Sequence, residues 1–435
     1  MYVKNKLLAV NLYEKLPDKE KRWLTSMSEK YPFSFQQLKM ITEYTVDMIC
    51  WGAGTPWQFY NADSVGKTRG KQAAGIVFGQ LRQGYEKLRN QEKIYPGTTK
   101  FANISGTDFS GNNAPGTPMV ERVFPEYKTV LMDIPGPIMG DCPVASPKTR
   151  CCNLKTLDAV QQCGFDCTYC SIQSFYHGDR VRFVRNLASR LDGLDLDRNK
   201  SYHIGTGQSS DSLMWGNRFG LLDSLCRFAW ANPRVLLEMK SKSARIEYFL
   251  ENTIPNNMVL TWSLNTPVVI QAEERGTASL ERRIQSAVKL AQRGIAVGFH
   301  LHPIIWYQGW QDDYRAMVSM LLKNFHPRQV VMVSLGTLTF IKPVISKIRE
   351  RFLDSNILQM PMEQCADRLT YPIAIKEELF SFIYNLFPAS WRESVFFYMC
   401  MEHIDLWRPV FGYEYQSNEH FENEMLKNYL DKIKT

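Results

Sequence analysis

The chain has 435 residues, of which 44% are hydrophobic and 22% charged, and this balance excludes disorder over the whole chain. The 52 Lys and Arg residues against 44 Asp and Glu give a net charge of +8, which permits an anionic partner such as nucleic acid without requiring one. No run of about 18 apolar residues is present, so we expect no membrane span. The first residues lack the pattern of a secretory signal, and a cytoplasmic location is therefore expected.

The first part of the chain has mostly helical patterning. Apolar residues recur at helical spacing over 34–50 and again over 71–93. The next segment, 96–120, is rich in Gly, Pro, Asn, Ser and Thr and is typical of a long loop. We place a domain boundary there and predict a mainly helical N-terminal domain over 1–120, with no role assigned to it.

After residue 150, short β-rich runs alternate with helix-like stretches. The predicted strands lie near 155–162 and at 202–207, 235–239, 259–264, 296–301 and 329–335. This rhythm predicts a parallel α/β fold, a partial (β/α)6 TIM-type barrel over 121–375, with its chemistry at the carboxyl ends of the strands. Residues 376–435 are predicted to form a helical C-terminal extension that packs on the barrel, with 394–400 as a further strand at its edge or base.

The cysteines are unevenly placed, since five of the ten lie within 151–170. The most regular group has the spacing C-x3-C-x2-C and consists of Cys163, Cys167 and Cys170. In a reducing compartment, clustered thiols indicate metal binding before disulfides. Three thiolates suit iron or zinc, and in a four-iron cluster they leave one iron open to a further ligand. The alternatives are unliganded thiols, or a zinc site completed by a nearby Cys151, Cys152 or His177.

This loop resembles the signature of the radical S-adenosylmethionine (SAM) superfamily, in which an aromatic residue, here Tyr169, commonly precedes the third cysteine. The resemblance implies a [4Fe-4S] cluster on the three cysteines, SAM on the open iron, and the partial barrel of radical SAM enzymes. It implies that SAM is cleaved to methionine and a 5′-deoxyadenosyl radical that abstracts hydrogen from a substrate. An electron donor such as flavodoxin or ferredoxin is then needed.

Six later motifs, in order, resemble the spore photoproduct lyase family, a group of DNA-repair enzymes. They begin at His203, Glu238, Thr261, Gly298, Val333 and Tyr398, and the resemblance covers roughly residues 125–412. It implies that SAM is contacted by Ser210, Lys242 and Ser263. Gly205 and Gly207 stand at a predicted strand end, where glycine allows the backbone to approach a ligand closely. For a lone serine or lysine the plainer interpretations are a turn cap and a surface charge.

The chain departs from the family at Gln208. The family carries a cysteine there, which returns a hydrogen atom to the substrate, and an amide does not readily do this. The sequence resembles the branch that lacks this cysteine. The catalytic residue therefore stays open, with Gln208, Cys400 and His300 as candidates. Alternation along a strand puts His300 and His302 on one face. The interpretations left open are that they bind substrate, relay protons or serve as core histidines.

Three functions follow from these patterns. The first is a radical SAM lyase that acts on nucleic acid with a UV lesion. The second keeps the radical but acts on an RNA base, a peptide or a metabolite. The third is a non-catalytic, zinc-stabilised nucleic-acid-binding protein, which would also use residues 66–93. That stretch has seven Lys and Arg against two Glu, a net of +5, which suits a nucleic-acid backbone, although a solvated amphipathic helix explains it somewhat better.

Overall fold

A computed structural model describes residues 2–95, 128–142, 149–176, 178, 180–351, 353–365 and 368–434. The predicted loop 96–120, with the domain boundary placed there, lies outside the described residues, and so does His177.

Helices occur at both ends of the chain and between the strands. They are α1 (Tyr2–Leu8), α2 (Asp18–Lys30), α3 (Phe35–Cys50), α4 (Gly70–Arg89), α5 (Leu187–Asp192), α6 (Leu221–Ala231), α7 (Glu247–Glu251), α8 (Pro267–Glu273), α9 (Leu280–Gln292), α10 (Trp310–Asn324), α11 (Lys342–Arg351), α12 (Ile373–Asn385), α13 (Ala389–Ser394), α14 (Trp407–Phe411) and α15 (Asn418–Lys434). None of these described helices is both long and apolar enough to cross a membrane.

The strands are short before residue 200 and longer after it. They are β1 (Lys128–Met132), β2 (Met139–Asp141), β3 (Lys155–Leu157), β4 (Val160–Gln161), β5 (Asp166–Cys167), β6 (Arg180–Val184), β7 (Tyr202–Thr206), β8 (Val235–Ser241), β9 (Met258–Leu264), β10 (Glu274–Arg275), β11 (Ala296–Ile304), β12 (Val330–Thr337), β13 (Thr339–Phe340), β14 (Glu363–Cys365), β15 (Arg368–Thr370) and β16 (Phe396–Met399).

Among the described residues, eight strands form the main sheet in the order β16-β12-β11-β9-β8-β7-β3-β2. Neighbouring strands are parallel except β2 and β3, which are antiparallel. This open half-barrel confirms the predicted parallel α/β fold. The predicted strand at 155–162 is divided, because β3 joins the main sheet whereas β4 pairs with β6 in another. The predicted strand at 394–400 is present as β16 at the sheet edge.

Side chains alternate along the central strands of the half-barrel. Those on one face are apolar and buried, among them Leu237, Met239, Leu260, Trp262, Phe299 and Leu301. Those on the other face are polar, among them Glu238, Lys240, Thr261, Ser263, His300 and His302. Because successive side chains point to opposite faces of a strand, the helices cover the apolar face, and the polar face lines the inside of the half-barrel.

The N-terminal helices have a hydrophobic core of their own, which includes Leu7, Leu24, Leu38, Ile41, Val77 and Leu81. The start of α3 is fixed by a capping box, in which Ser34 accepts from the Gln37 backbone and Gln37 accepts from the Ser34 backbone. Other side chains of this region belong to the core of the half-barrel, namely Tyr44, Met48, Trp51 and Tyr85. The N-terminal region is therefore mainly helical, as predicted, and packs on the half-barrel.

Candidate active site

A cavity of about 270 Å³ inside the half-barrel brings together nearly all the residues singled out from the sequence. Its wall includes Cys163, Cys167, Tyr169, Cys170, Gly207, Gln208, Ser210, Lys242, Ser263, His300 and Cys400. Gly205 is not among the described residues that line it. This glycine is buried within β7, where an added β-carbon would lie 3.0 Å from the Leu154 side chain. Its small size serves the packing of the strand.

The three cysteines lie on an irregular segment between β4 and β6, called here the cysteine loop (residues 162–176). Cys167 pairs with Glu274 of β10 in antiparallel register. The Cys170 N–H donates to the Cys167 carbonyl oxygen at 3.2 Å. The side-chain amide of Gln173 donates to the carbonyl oxygens of Thr168 and Cys170, both at 2.9 Å. The path of the loop is thus fixed by the protein's own hydrogen bonds, with all three thiols on the cavity wall.

The electrostatic surroundings of Cys163 and Cys167 favour the neutral form of these two thiols. Burial raises the pKa of Cys163 to about 12. Burial also raises the pKa of Cys167 well above its ordinary value, although the nearby Lys242 acts in the opposite direction. Such thiols become thiolates when a metal takes the place of the proton. No three Cys, His, Asp or Glu side chains in the described ranges are placed to hold a single metal ion. Three thiols on one short loop nevertheless match the ligands that a [4Fe-4S] cluster with one open iron would need.

Tyr169 is held in place by a buried charged pair. Its hydroxyl donates to Glu274, which also accepts from Arg283. Burial would raise the pKa of Glu274, but the charges of Arg283 and Lys242 outweigh it and lower the pKa. The Lys242 ammonium lies 5.6 Å from the centre of the Tyr169 ring. The hydroxyl of Tyr169 is therefore engaged, and its ring supports the lysine at the cavity.

Ser210 follows a tight turn after β7. Gly207 has a φ of +88°, and a β-carbon there would lie 2.6 Å from the Lys240 carbonyl oxygen, so this position requires glycine. The indole N–H of Trp215 donates to Oγ of Ser210 at 2.9 Å. Since that bond uses the oxygen as an acceptor, the hydroxyl proton of Ser210 remains to donate to a bound ligand. Ser263 is also buried on the wall.

Asp211 is a supporting residue that the sequence reasoning missed. Its carboxylate accepts from the backbone N–H groups of Leu213 at 3.0 Å, Met214 at 2.9 Å and Lys242 at 2.6 Å. It also accepts from the Ser241 hydroxyl at 2.8 Å. The carboxylate therefore joins the loop after β7 to the end of β8 and sets the position of Lys242. The sequence could have indicated only the local part of this role. An aspartate that accepts from backbone N–H groups two and three residues ahead is typical of a turn.

Glu238 forms a buried polar cluster with His203 and His300, and of these three Glu238 and His300 line the cavity. The carboxylate of Glu238 lies 2.7 Å from Nε2 of His203 and 2.5 Å from Nε2 of His300. Nδ1 of His300 lies 2.6 Å from the Ser334 hydroxyl. Burial lowers the pKa of His300 to about 4, so this ring is neutral at pH 7, donates to Glu238 and accepts from Ser334. Both ring nitrogens of His300 have partners, as in a core histidine, and the side chain also lines the cavity, so the three roles considered for it stay predictions.

Comparison with known proteins identifies the central part of the chain. Residues 207–369 match the family model described as spore photoproduct lyase. The central part of the chain is thus similar to the spore photoproduct lyase family. The chain is 26% identical over 170 residues to the spore photoproduct lyase of Clostridium acetobutylicum, covering 38% of this chain and 50% of that protein. It is 32% identical over 85 residues to the spore photoproduct lyase of Bacillus subtilis, a match that covers 20% of this chain and 25% of that protein. The matches thus span half or less of these relatives' length.

Solved structures of spore photoproduct lyase have the same fold. A cysteine-to-alanine mutant superposes with a TM-score of 0.51 at 18% identity, over 62% of this chain and 82% of that one. The structure of a cysteine-to-alanine mutant with dinucleoside spore photoproduct superposes with a TM-score of 0.51 at 17% identity. It too covers 62% of this chain and 82% of that one.

Within this family fold, the positions of Gln208 and Cys400 are informative. Both line the cavity, Gln208 in the turn after β7 and Cys400 directly after β16. His302 lines it too, and its Nε2 has no hydrogen-bond partner among the described residues. The cavity wall therefore carries the Cys400 thiol as well as the Gln208 amide.

The basic stretch 66–93 is partly buried. The Tyr85 hydroxyl donates to Asp47 at 2.7 Å inside the core, and Lys93 is fully buried. Arg82 pairs with Glu86 one turn along α4 at 2.8 Å. One face of this stretch is thus packed in the core, whereas most of its basic side chains are exposed, and both interpretations of it stay predictions.

Proposed function

We propose that this chain is a radical SAM enzyme of the spore photoproduct lyase type that acts on a nucleic-acid lesion. One observation carries the proposal. The C-x3-C-x2-C thiols share a single cavity with Ser210, Lys242 and Ser263, which come from three separate strand ends. A redox metal centre and a SAM site have to be adjacent in this chemistry, and that adjacency depends on tertiary structure alone.

The proposed cluster ligands are Cys163, Cys167 and Cys170. When bound, the cluster and SAM supply a 5′-deoxyadenosyl radical, with the electron coming from a donor such as flavodoxin or ferredoxin. The Lys242 ammonium offers a positive partner to the SAM carboxylate, and Ser210 and Ser263 offer hydroxyl groups. The surrounding half-barrel excludes water from the radical.

The substrate class is supported by the relatives. The matched curated proteins are named spore photoproduct lyase, and one solved structure with this fold holds dinucleoside spore photoproduct. Gln208 favours a second candidate, a radical SAM enzyme that acts on an RNA base, a peptide or a metabolite.

Anaerobic reconstitution tests the proposal. The protein is expected to take up about four irons per chain and, with SAM and a reductant, to release 5′-deoxyadenosine. A Cys170→Ala variant should lose both properties, whereas Cys226→Ala, at a buried cysteine away from the cavity, should retain them. A fully loaded protein that forms no 5′-deoxyadenosine would refute the radical function. Turnover of ultraviolet-irradiated DNA, measured as restored thymine, separates the first candidate from the second.

A further inference from the structure

The cavity holds more thiols than the cluster needs. Seven of the ten cysteines line it within the described ranges. Four of them lie outside the cysteine loop, namely Cys142, Cys151, Cys152 and Cys400. Thiols beside a proposed radical site are potential hydrogen-atom donors, because an S–H group readily gives up a hydrogen atom.

The topology explains why these thiols meet. Cys400 follows β16 at one edge of the main sheet, and its N–H donates to the Leu335 carbonyl oxygen at 2.9 Å. Cys142 and Cys151 flank the short strands at the other edge. The two edges are joined by a β-bridge between Thr149 and His403. Curling of the sheet thus brings thiols from its opposite edges to one wall.

Further contacts fix this closure. The Cys151 N–H donates to the side chain of Asn418 at 3.0 Å. Arg150 donates to the carbonyl oxygens of Tyr415 at 2.7 Å and Gln416 at 2.8 Å. The segment before β3 is thereby tied to the start of α15. Each of these bonds joins a side chain to a backbone group, and together they hold Cys151 beside the C-terminal segment that follows Cys400.

The thiol of Cys400 is protonated at neutral pH. Burial raises the pKa of Cys400 to about 12, although the ammonium of Lys240 acts in the opposite direction. Lys240 lies on β8, which is four strands from β16 in the sheet order. Cys400 and Lys240 both line the cavity, so the thiol lies on the interior side of the half-barrel. The protonated thiol therefore presents a hydrogen atom to the cavity that also holds the three thiols of the cysteine loop.

We propose that Cys400 returns the hydrogen atom to the substrate radical, in place of the cysteine whose position is occupied by Gln208. This inference rests on the proposed function. The carbon radical takes the hydrogen atom from Sγ of Cys400, so that a C–H bond forms, the S–H bond breaks and a thiyl radical remains. One electron from the low-potential donor that reduces the cluster, together with one proton from water, restores the thiol.

Deuterium labelling tests this step in the full chain loaded with its cluster. The protein reacts with SAM, a one-electron reductant and dinucleoside spore photoproduct in D2O, where thiol hydrogens exchange and carbon-bound hydrogens do not. Deuterium is then measured in both the repaired thymine and the 5′-deoxyadenosine, since either carbon radical can be quenched by the thiol. We expect one deuterium in the unaltered protein and its loss in Cys400→Ala and Cys400→Ser. Freeze-quench electron paramagnetic resonance should show a sulfur-centred radical only when Cys400 is present.

The matched control is Cys226→Ala, because Cys226 is buried against Met258, 3.7 Å between the sulfurs, and does not line the cavity. This variant should retain the label. Cys400→Ser preserves the side-chain size, so its iron content and SAM cleavage show that the site is intact. Release of 5′-deoxyadenosine with the same label in both Cys400 variants as in the unaltered protein would overturn this inference alone. Absence of 5′-deoxyadenosine from the unaltered protein would overturn the proposed function as well.

Discussion

The Tyr95 hydroxyl donates a hydrogen bond to Oε1 of Glu273 at 2.9 Å. Tyr95 ends the described N-terminal region, whereas Glu273 ends α8 and also accepts from the Thr168 hydroxyl in the cysteine loop. Lys93 is buried nearby. Burial lowers the pKa of Lys93 to about 7, and the charge of Glu273 acts in the opposite direction. One buried carboxylate thus connects the N-terminal region to the loop proposed to hold the cluster.

This connection predicts that Tyr95→Phe loosens the cysteine loop. Loss of one buried hydrogen bond should lower the free energy of unfolding by about 1 kcal/mol, measured by urea denaturation. Iron should also be lost faster to a chelator. Tyr31→Phe is the control, because it removes a similar bond, to Tyr60 at 2.8 Å, within the N-terminal region. Equal rates of iron loss in the two variants would contradict the bracing role.

Removal of a cluster ligand should abolish iron binding without unfolding the protein. In Cys167→Ala we expect iron content and visible absorbance after reconstitution to fall to background, because a cluster with two protein ligands is poorly held. The thermal unfolding midpoint of the metal-free protein should change little. Full iron content in this variant would show that other thiols hold the metal.

Lys242 is expected to contribute to SAM affinity. Lys242→Gln removes the positive charge next to Tyr169, and the Kd for SAM should rise about tenfold, equivalent to about 1.4 kcal/mol. Equilibrium binding to the reconstituted protein measures this. The control is Lys289→Gln on the exposed face of α9, which should bind SAM as before. The same loss of affinity in both variants would exclude a specific contact by Lys242.

The buried histidine cluster predicts how stability depends on pH. The pKa of His300 falls from 6.5 to about 4 because of burial, with Lys240 acting in the same direction and Glu238 in the opposite one. Between these values the unfolded chain binds a proton that the folded chain does not. Stability should therefore decrease as the pH is lowered from 6.5 to 4, by up to about 3 kcal/mol.

Urea unfolding at several pH values measures this slope. The titration of Glu238 also makes stability decrease as the pH is lowered. Burial would raise the pKa of Glu238, but its two histidine neighbours hold that pKa well below its ordinary value. In His300→Gln the titrating ring is absent, and the slope between pH 6.5 and 4 should be smaller. An unchanged slope would assign the effect to other groups.

Much of the half-barrel could be predicted from sequence because its signals are local. Apolar runs such as 235–239 and 259–264 correspond to β8 and β9, and the amphipathic stretch 279–293 corresponds to α9. The contacts of Asp211 with Ser241 and Lys242 could not be predicted in this way. They depend on how two loops meet, and neither loop carries a pattern that specifies the other.

The cysteine loop could also be predicted from a local sequence signal. Its three thiols lie within eight residues, so their spacing alone indicates a metal centre. The convergence of Cys151 and Cys400, by contrast, could not be predicted from local sequence. These two residues are far apart in the chain, and their meeting depends on the curvature of the sheet and on the closure between Thr149 and His403. Curvature arises from the sum of many strand twists, so no single stretch of residues encodes it.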